Sequence, residues 1–596
     1  MAQILKERTE NLSINGAFQN IWLPLIIFTL TAVIFCLPLL RNFNFWGVED
    51  WDEYLFRNAL ARETILEYHQ FPLWNPYSCG GNVFLAHPTS SFLSPFFMLV
   101  LIFGEIYGLK LQVIIYLIIG MFGMFLLIKQ LKLSKFSCYF SSFIYMLGAM
   151  YPLRAAAGLL GELSMALVPY LFLFYIKSAK NSKFIFGTIF FLALMIFSGS
   201  LRVINIFNFF LLIYSIFWAC QQKSFKPLKI LFLIFTGAFL LCAVKTIPMF
   251  DFLFHNPRIL DNPKGISLKE ALFVLLARVR TYDPDWIVSS YDWYHYGAYI
   301  GIIPSLLALL GMIYYFRVNW PLILTGLLFL LISMGEQFPI NLWRIVHLLP
   351  IYNMLHAPPR FILGVIFCLA VMSGYGLFGI ENFVKNKPVL FKLLIPAIVI
   401  FVIFDLSFVN SSILKGVFTI TPKKVKKNSS FHQGLSKFDY VLDDSDIYPR
   451  FLMNEGTINA EEVDNIYPLE RNVLPKSSTE YRGEAYLLKD KGRADIIYFS
   501  PNKLVLDINT PKNDILLLNQ NYYKGWRVKK NDGIYNAVSF KGLISTAVSS
   551  GYNRIIFYYL PDSFIIGSVV STMTFFLLLF LGIRIRKLEN EIGISF

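Results

Sequence analysis

The sequence predicts a polytopic α-helical membrane protein with about twelve transmembrane helices and one exposed, mainly-β domain before the last helix. Three observations predict this class. Apolar runs of about 18 residues or more, each long enough to cross ~30 Å of hydrocarbon, recur along most of the chain. Its 596 residues are 56% hydrophobic and 15% charged, whereas a soluble protein is about a quarter charged. β-branched and aromatic segments between turn residues gather near the C-terminus.

The net charge of +15 would suit a nucleic-acid-binding protein, but the positions of the basic residues argue against one. Lysine and arginine cluster in short connections between apolar runs, which marks the cytoplasmic side of a membrane protein. The charge therefore indicates topology and contact with anionic lipid, and no nucleic-acid partner is expected. The clusters are Lys129, Lys132 and Lys135; Lys177, Lys180 and Lys183; Lys223, Lys226 and Lys229; and Arg584, Arg586 and Lys587.

These clusters predict a multi-pass membrane protein with both termini in the cytoplasm. A transmembrane module is predicted over 1–410, an extracytoplasmic domain over 411–562, and a last span with a tail over 563–596. Two long outer loops, 41–106 and 249–297, belong to the first module. The spans are predicted near 21–40, 107–128, 136–151, 163–177, 183–198, 203–220, 228–248, 298–316, 320–334, 361–380, 389–409 and 563–583.

Three further segments of the outer loops have predicted structure. Phe92–Gly104 contains Pro95 and, at about thirteen residues, is expected to re-enter or lie at the interface rather than span. Trp51–Tyr68 has apolar positions at helical spacing, which favours an amphipathic helix on the membrane surface. Residues 267–280 predict a second such helix, with Ser267 as its N-cap.

The exposed domain has the pattern of a small antiparallel β sandwich. Its strands are predicted within Asp495–Thr510, Asp514–Asn519, Gly525–Lys529 and Arg554–Tyr559. The preceding stretch, Lys423–Lys491, is polar and weakly patterned.

Four carboxylates, Glu49, Asp50, Asp52 and Glu53, follow the first span within five residues. Crowded acids shift one another's pKa, which suits general-base catalysis or metal coordination. The alternative is a helix N-terminus, where acidic residues are favoured by capping and by the helix dipole. The spacing leaves both interpretations open.

The same loop continues with an aromatic, turn-rich segment. It contains His69, Gln70, Trp74, Asn75 and Tyr77, then Gly80-Gly81 and His87. The aromatic side chains could form an interfacial belt, or they could stack on a sugar ring.

These residues carry a resemblance to a known family. The order of blocks along nearly the whole chain is similar to that of the YfhO-like family, which belongs to the GT-C class of membrane glycosyltransferases. The chain departs from the family at His356, where an Arg is common, and at Lys524, where a Pro is common. Besides the acidic residues after the first span, the blocks are Phe71–Tyr77, Tyr296–Gly301, His356–Phe361, Tyr522–Val528 and Phe557–Pro561.

The resemblance implies a GT-C-like fold and a transferase of the bacterial cytoplasmic (inner) membrane. This transferase would move a sugar from a polyprenyl-phosphate carrier to an envelope glycan, lipid or protein on the extracytoplasmic face. Asp50 best matches the family's catalytic acid, and Asp52 is second. A base must lie within hydrogen-bond reach of the acceptor hydroxyl, and the leaving phosphate needs a fixed cation. Arg360, next to His356, suits the phosphate because an Arg fork matches it.

Other polar residues complete the predicted site. Arg154 and Glu162 form either a structural loop pair or part of a donor clamp. Arg202, Lys245 and Arg258 could equally be snorkelling side chains at helix ends. The acidic segment Asp283–Trp286 could line an acceptor groove or simply form a turn. We place His69, Gln70, Trp74, Asn75, Tyr77 and His87 with Arg360, His356, Arg154 and Glu162 as the substrate-binding set.

No cofactor is predicted with certainty. The six cysteines have no paired spacing, so neither a disulfide framework nor a zinc site is indicated. Asp50 and Asp52 with His69 or His87 could hold a divalent metal ion, and no feature of the sequence decides whether they do.

Two other function classes compete with the enzyme. A transporter or flippase of lipid-linked glycans should carry ionisable groups at the bilayer midplane or matched broken helices, whereas the predicted spans keep their charges at one face. A non-catalytic envelope scaffold would tolerate neutralisation of the crowded acids.

Overall fold

The computed structural model describes residues 21–591 except 258–262, 279–292, 423, 437–445, 460–467, 469, 471 and 490–491. Arg258 and Asp283–Trp286 lie outside the described residues, as do the side chains of Arg586 and Lys587. The helices are α1 Trp22–Phe35, α2 Leu37–Arg41, α3 Trp51–Leu66, α4 Phe97–Phe103, α5 Glu105–Gln130, α6 Lys135–Leu147, α7 Met150–Ala156, α8 Val168–Ser178, α9 Phe184–Phe197, α10 Leu201–Gln222, α11 Lys226–Leu241, α12 Ala243–His255, α13 Leu268–Leu276, α14 Trp293–Tyr296, α15 Ile302–Tyr314, α16 Phe316–Ser333, α17 Leu342–His347, α18 Ile362–Val384, α19 Pro388–Ser411, α20 Ile447–Leu452 and α21 Asp562–Glu591.

The protein is a multi-pass membrane protein. Within the described ranges, seven helical segments are long and apolar enough to span: Glu105–Gln130, Leu160–Ser178, Leu201–Gln222, Phe316–Ser333, Pro358–Val384, Pro388–Leu414 and Asp562–Ile585. Helices α11 and α12 meet at an angle of 89° and could count as an eighth span. Helices α1, α9 and α15 are apolar but shorter. The predicted number of twelve spans is therefore not confirmed, because several apolar runs form helices shorter than a bilayer requires.

Two of the lysine clusters lie at the ends of spans whose other ends carry Glu162 and Arg202. The span Leu160–Ser178 begins beside Glu162 and ends beside Lys177, and α10 begins beside Arg202 and ends before Lys223. A helix rises about 1.5 Å per residue, so each pair of charges is separated by most of the length of its span.

Helix α3 forms as predicted but does not lie on a surface with one face exposed. Most of its residues are buried, because the polar segment after α19 covers it. Trp51 packs edge-on against Phe418, and Phe56 against Phe451, with ring centroids 5.2 and 5.6 Å apart. The prediction of a surface amphipathic helix was wrong, because the residues that pack over α3 lie more than 350 positions later in the sequence. A local pattern cannot indicate such distant partners.

Two other local predictions concern the outer loops. Phe92–Gly104 contains only the seven-residue helix α4, too short to cross a bilayer. It packs closely on α5, because a Cβ at Gly108 would lie 2.6 Å from the Cα of Val100. Ser267 caps α13 in a full capping box with Glu270, which confirms the predicted cap.

The described part of the C-terminal region contains a four-stranded and a five-stranded antiparallel sheet. The predicted strands are present, and Asp495–Thr510 forms a hairpin of two strands. Inward residues of both sheets, such as Leu506, Phe557, Leu516 and Ile544, are buried in the same core. The strands are β7 Ala485–Leu487, β8 Arg493–Ser500, β9 Lys503–Thr510, β10 Asp514–Asn521, β11 Trp526–Lys530, β12 Gly533–Asn536, β13 Val538–Phe540, β14 Leu543–Val548 and β15 Gly551–Tyr559. Their order is β13-β14-β10-β7 in the first sheet and β12-β11-β15-β9-β8 in the second.

Short strands join the first outer loop to the polar region. Strand β1 Trp46–Gly47 pairs with β4 Phe418–Ile420, and β2 Trp74–Asn75 pairs with β3 Asn82–Val83. Strand β5 His432–Gly434 runs parallel to β6 Glu455–Thr457. Loop 41–106 and the polar region therefore form one packed layer over the helix ends.

Candidate active site

A cavity lies where the acidic loop meets the ends of the helices. Its polar lining comes from the start of α3, from the segment before α4, from the turn before α8 and from the start of α10. The lining residues are Asp50, Glu53, Tyr54, His87, Pro88, Thr89, Leu159, Glu162, Gly199, Ser200, Leu201, Arg202, Asn205, Leu253, Ile351, Met354 and Leu355.

Asp50 occupies the N-cap position of α3, but its side chain makes no capping hydrogen bond. Its backbone is held in place, because its N–H donates to the carbonyl of Ala157 at 3.2 Å. Gly158 permits this close approach, since a Cβ there would lie 2.3 Å from the nitrogen of Trp51. The Asp50 carboxylate thus lines the cavity from a fixed backbone position.

Asp52 lies elsewhere. It is buried, and its carboxylate accepts the backbone N–H groups of Ile447 and Tyr448 at 2.9 and 3.2 Å. It therefore holds the start of α20 against α3, and it is not among the residues that line the cavity. The two acids that the sequence left as alternatives have different surroundings.

Glu53 joins a buried polar network with His87. Glu53 pairs with Arg57 at 2.5 Å, and a nitrogen of Arg57 lies 2.6 Å from Nδ1 of His87. Arg57 also donates to the Thr89 hydroxyl. Since Glu53, His87 and Thr89 line the cavity, this network gives one wall a fixed arrangement of polar groups. Burial raises the pKa of the neighbouring Tyr54 phenol, so Tyr54 stays neutral.

Glu162 lies between two arginines. It accepts from Nε of Arg154 at 2.8 Å and from Arg202 at 3.1 Å. Arg154 is fully buried, whereas the side chain of Arg202 is 28% exposed and lines the cavity. The structure thus brings together the predicted Arg154–Glu162 pair and adds Arg202, which lines the cavity.

Arg360 and His356 lie close to His295 and near the Glu162 group. Nε of Arg360 donates to Nδ1 of His295 at 2.8 Å, and the His295 and His356 rings are 6.4 Å apart. Burial and the nearby Arg360 charge lower the pKa of His295, which keeps the imidazole neutral and able to accept. Neither Arg360 nor His356 is among the lining residues of the cavity.

The aromatic loop is attached to the β domain rather than to the cavity. Trp74 is fully buried, its indole donates to Gln520 at 3.0 Å, and its ring packs on Trp526 and Tyr559. Gln70 donates to Ser500 at 2.9 Å.

The loop's other predicted site residues are also away from the lining. Asn75 accepts the N–H of Tyr77, and the Tyr77 hydroxyl donates to Asn454, both at 2.9 Å. His69 is exposed at the end of α3. Among the predicted sugar-binding residues of this loop, His87 is the one that lines the cavity.

A second, mainly apolar chamber adjoins the polar cavity. Pro88, Leu201, Asn205 and Ile351 line both spaces. Lys245, which the sequence presented as a snorkelling cation, is buried in the chamber wall and donates to the carbonyls of Ser90 and Ile196. The chamber's other lining residues are Leu192, Ile196, Ile204, Asn208, Phe235, Ala238, Phe239, Thr246, Met249 and Phe250.

The residues described contain no group of three or more His, Cys, Asp or Glu side chains arranged to hold a metal ion. Asp50 and Asp52, the proposed metal pair, lie in the separate surroundings given above.

Sequence reasoning missed Asn205 and His295 as site residues. Asn205 lies in an apolar span, Leu201–Gln222, and a polar residue within a predicted span is the signal that could have found it. His295 directly precedes the block Tyr296–Gly301, but its partner Arg360 is 65 residues away, so no local pattern links them.

Comparisons with known proteins give three findings. No curated protein matches the chain. The solved structure of ArnT from Cupriavidus metallidurans bound to undecaprenyl phosphate aligns with a TM-score of 0.46 and 12% identity, covering 76% of this chain and 90% of that chain. Residues 483–571 match the family described as bacterial membrane protein YfhO. The resemblance to the YfhO family is therefore confirmed over residues 483–571, which contain strands β7 to β15 and the start of α21.

Proposed function

We propose that the protein is a membrane glycosyltransferase that moves a sugar from a polyprenyl-phosphate donor to a cell-envelope acceptor. The reaction would take place at the extracytoplasmic face of the bacterial cytoplasmic membrane. The observation that carries the proposal is the polar cavity joined to an apolar chamber between helices. This pair of spaces suits a substrate with a polar head and a long hydrocarbon chain, because each part meets a matching lining.

Asp50 is proposed as the general base. It would take the proton of the acceptor hydroxyl as the acceptor oxygen bonds to the anomeric carbon. The bond from that carbon to the phosphate oxygen breaks, and polyprenyl phosphate leaves with the bonding electrons. Asp50 suits this role because it lines the cavity, and a positioned base contributes about 10²–10⁴-fold.

Arg202 is proposed as the cation that balances the leaving phosphate. It lines the same cavity as Asp50 and is partly exposed there. Arg360, which the sequence favoured, is not among the lining residues and would shape the field around Glu162 and His295. Fixed cations near a developing charge lower the barrier because they need no reorganisation during the reaction.

The test compares three forms of the full-length protein in detergent: wild type, Asp50→Asn and the matched control Asp52→Asn. Each is incubated with polyprenyl-phosphate hexoses and bacterial envelope extract, and release of polyprenyl phosphate is measured. We expect release by wild type and Asp52→Asn, and about 10²–10⁴-fold less by Asp50→Asn.

Equal release by wild type and Asp50→Asn would remove Asp50 from the base role. Lack of release with any donor, together with movement of lipid-linked glycan across vesicle membranes, would replace the enzyme with a flippase. Full function in cells carrying neutralised acids would favour the scaffold.

A further inference from the structure

The first turn of α10 opens onto the polar cavity. Gly199, Ser200, Leu201 and Arg202 all line the cavity, and Ser200 at the N-cap position makes no side-chain capping bond. The first backbone N–H groups of a helix have no partners within the helix. Because α10 has 22 residues, its dipole presents partial positive charge to this part of the cavity.

A buried side-chain amide nitrogen one turn further along α10 has no hydrogen-bond partner. Asn205 is 7% exposed, and its Nδ2 has no hydrogen-bond partner. A buried donor without a partner costs about 1–3 kcal/mol, so a ligand that accepts from it would recover part of that cost. Asn205 lines both the polar cavity and the apolar chamber, one turn into α10 from the open end.

The surrounding charges are mixed. Arg202 pairs with Glu162 at 3.1 Å, and Glu162, Asp50 and Glu53 also line the polar cavity. On the chamber side, Lys245 lines the wall beside Asn205. Arg202 therefore belongs to the lining of the polar cavity and Lys245 to that of the apolar chamber, whereas the acidic residues line the polar cavity.

We propose that the start of α10 is the binding site for the phosphate group of a polyprenyl phosphate, with Asn205 donating from Nδ2 at the junction of the two spaces. This inference rests on the proposed function for the identity of the lipid. Helix N-termini bind phosphate through backbone N–H groups and the dipole, and Arg202 adds a charge-assisted donor. The hydrocarbon chain would then lie in the apolar chamber, and the sugar would point towards Asp50.

The experiment measures binding without transfer. Full-length protein in detergent is titrated with undecaprenyl phosphate, with undecaprenol as the phosphate-free lipid, and with inorganic phosphate as the lipid-free anion. Native mass spectrometry gives the affinities, and thermal unfolding without ligand reports folding. The variants are Asn205→Leu, Asn205→Asp and the control Asn208→Leu. Asn208 lines the chamber but not the polar cavity, and its Oδ1 is buried without a hydrogen-bond partner.

For wild type we expect the phosphate lipid to bind more tightly than undecaprenol and inorganic phosphate to bind weakly. Asn205→Leu should reduce the ratio of affinities for the two lipids about 10- to 100-fold, the effect of losing a hydrogen bond to a charged group. Asn205→Asp, of nearly equal size, should reduce it at least as much, whereas Asn208→Leu should preserve the ratio. Without ligand, Asn205→Leu should be as stable as wild type or more stable, because it removes an unsatisfied donor.

An unchanged ratio in Asn205→Leu would overturn the inference, as would an equal loss in Asn208→Leu. Binding of undecaprenol as tight as that of the phosphate lipid, or of inorganic phosphate as tight as that of the lipid, would also overturn it. Because no sugar is transferred in this assay, the two proposals fail separately. Asn205-dependent binding without any glycosyl transfer would leave the phosphate site standing and reject only the enzyme.

Discussion

Glu484 makes the stability of the fold depend on pH. It is buried where the β domain meets the first outer loop, and it accepts from the N–H of Gln433 at 2.8 Å and from Tyr481 at 2.7 Å. Gln433 in turn donates to the carbonyl of Pro76 at 3.0 Å. Burial raises the pKa of Glu484 from 4.5 to about 7.

The folded protein therefore binds this proton more tightly than the unfolded chain does. The stabilisation by the protonated form is present at low pH and is lost as the pH rises from about 4.5 to about 7. A pKa difference of this size corresponds to about 3 kcal/mol, since one pKa unit is worth about 1.4 kcal/mol. Glu484→Gln keeps an oxygen that can accept the same hydrogen bonds but cannot ionise. The variant should match wild type at low pH and exceed its stability by up to about 3 kcal/mol at pH ~8.

Thermal unfolding of both full-length proteins in detergent, at a series of pH values between about 5 and 8, measures this difference. Other titrating groups contribute equally to both proteins, so the difference between the two melting temperatures isolates Glu484. The difference should grow as the pH rises. A constant difference across this range, or a variant that is less stable at the highest pH, would refute the reasoning.

Three further substitutions test the packing around the site, each by thermal unfolding of the purified protein. Asp52→Asn keeps one of the two oxygens that accept hydrogen bonds from the start of α20, and it should lower the free energy of unfolding by about 1–2 kcal/mol. An unchanged free energy of unfolding would show that these hydrogen bonds do not stabilise the fold. Glu162→Gln leaves the buried charge of Arg154 without its carboxylate partner, and it should lower the free energy of unfolding by about 3–5 kcal/mol. The double variant Glu162→Gln, Arg154→Met should recover part of that loss, because it also removes the unpaired charge. Gly108→Ala places a Cβ 2.6 Å from the Cα of Val100 and should lower the free energy of unfolding by about 1–3 kcal/mol. Unchanged stability would mean that α4 can shift away from α5 without loss of stability.

The acidic motif shows where local pattern stops being informative. The sequence placed Asp50 and Asp52 together as candidate bases. Residues two apart on a helix point in different directions, so one carboxylate lines the cavity while the other holds α20. Which one faces the cavity depends on the segment after α19, which packs on α3 from a distance in sequence.

The aromatic loop shows the same limit. Its Trp and Tyr residues suited sugar stacking, but Trp74 packs on Trp526 and donates to Gln520. Those partners are more than 440 residues away in the chain, so no period or spacing within the loop could indicate them.

The sequence by itself determined the membrane class, the lysine-rich ends of the spans, the β strands and the cap at Ser267. These features follow from local composition and period, since about twenty apolar residues are needed to cross a bilayer and side chains alternate along a strand. Only the tertiary structure decided which polar groups share a cavity. Asn205, Arg202 and Asp50 come from two helices separated by about 150 residues, and their meeting depends on how the helix ends pack, which no segment of the chain encodes alone.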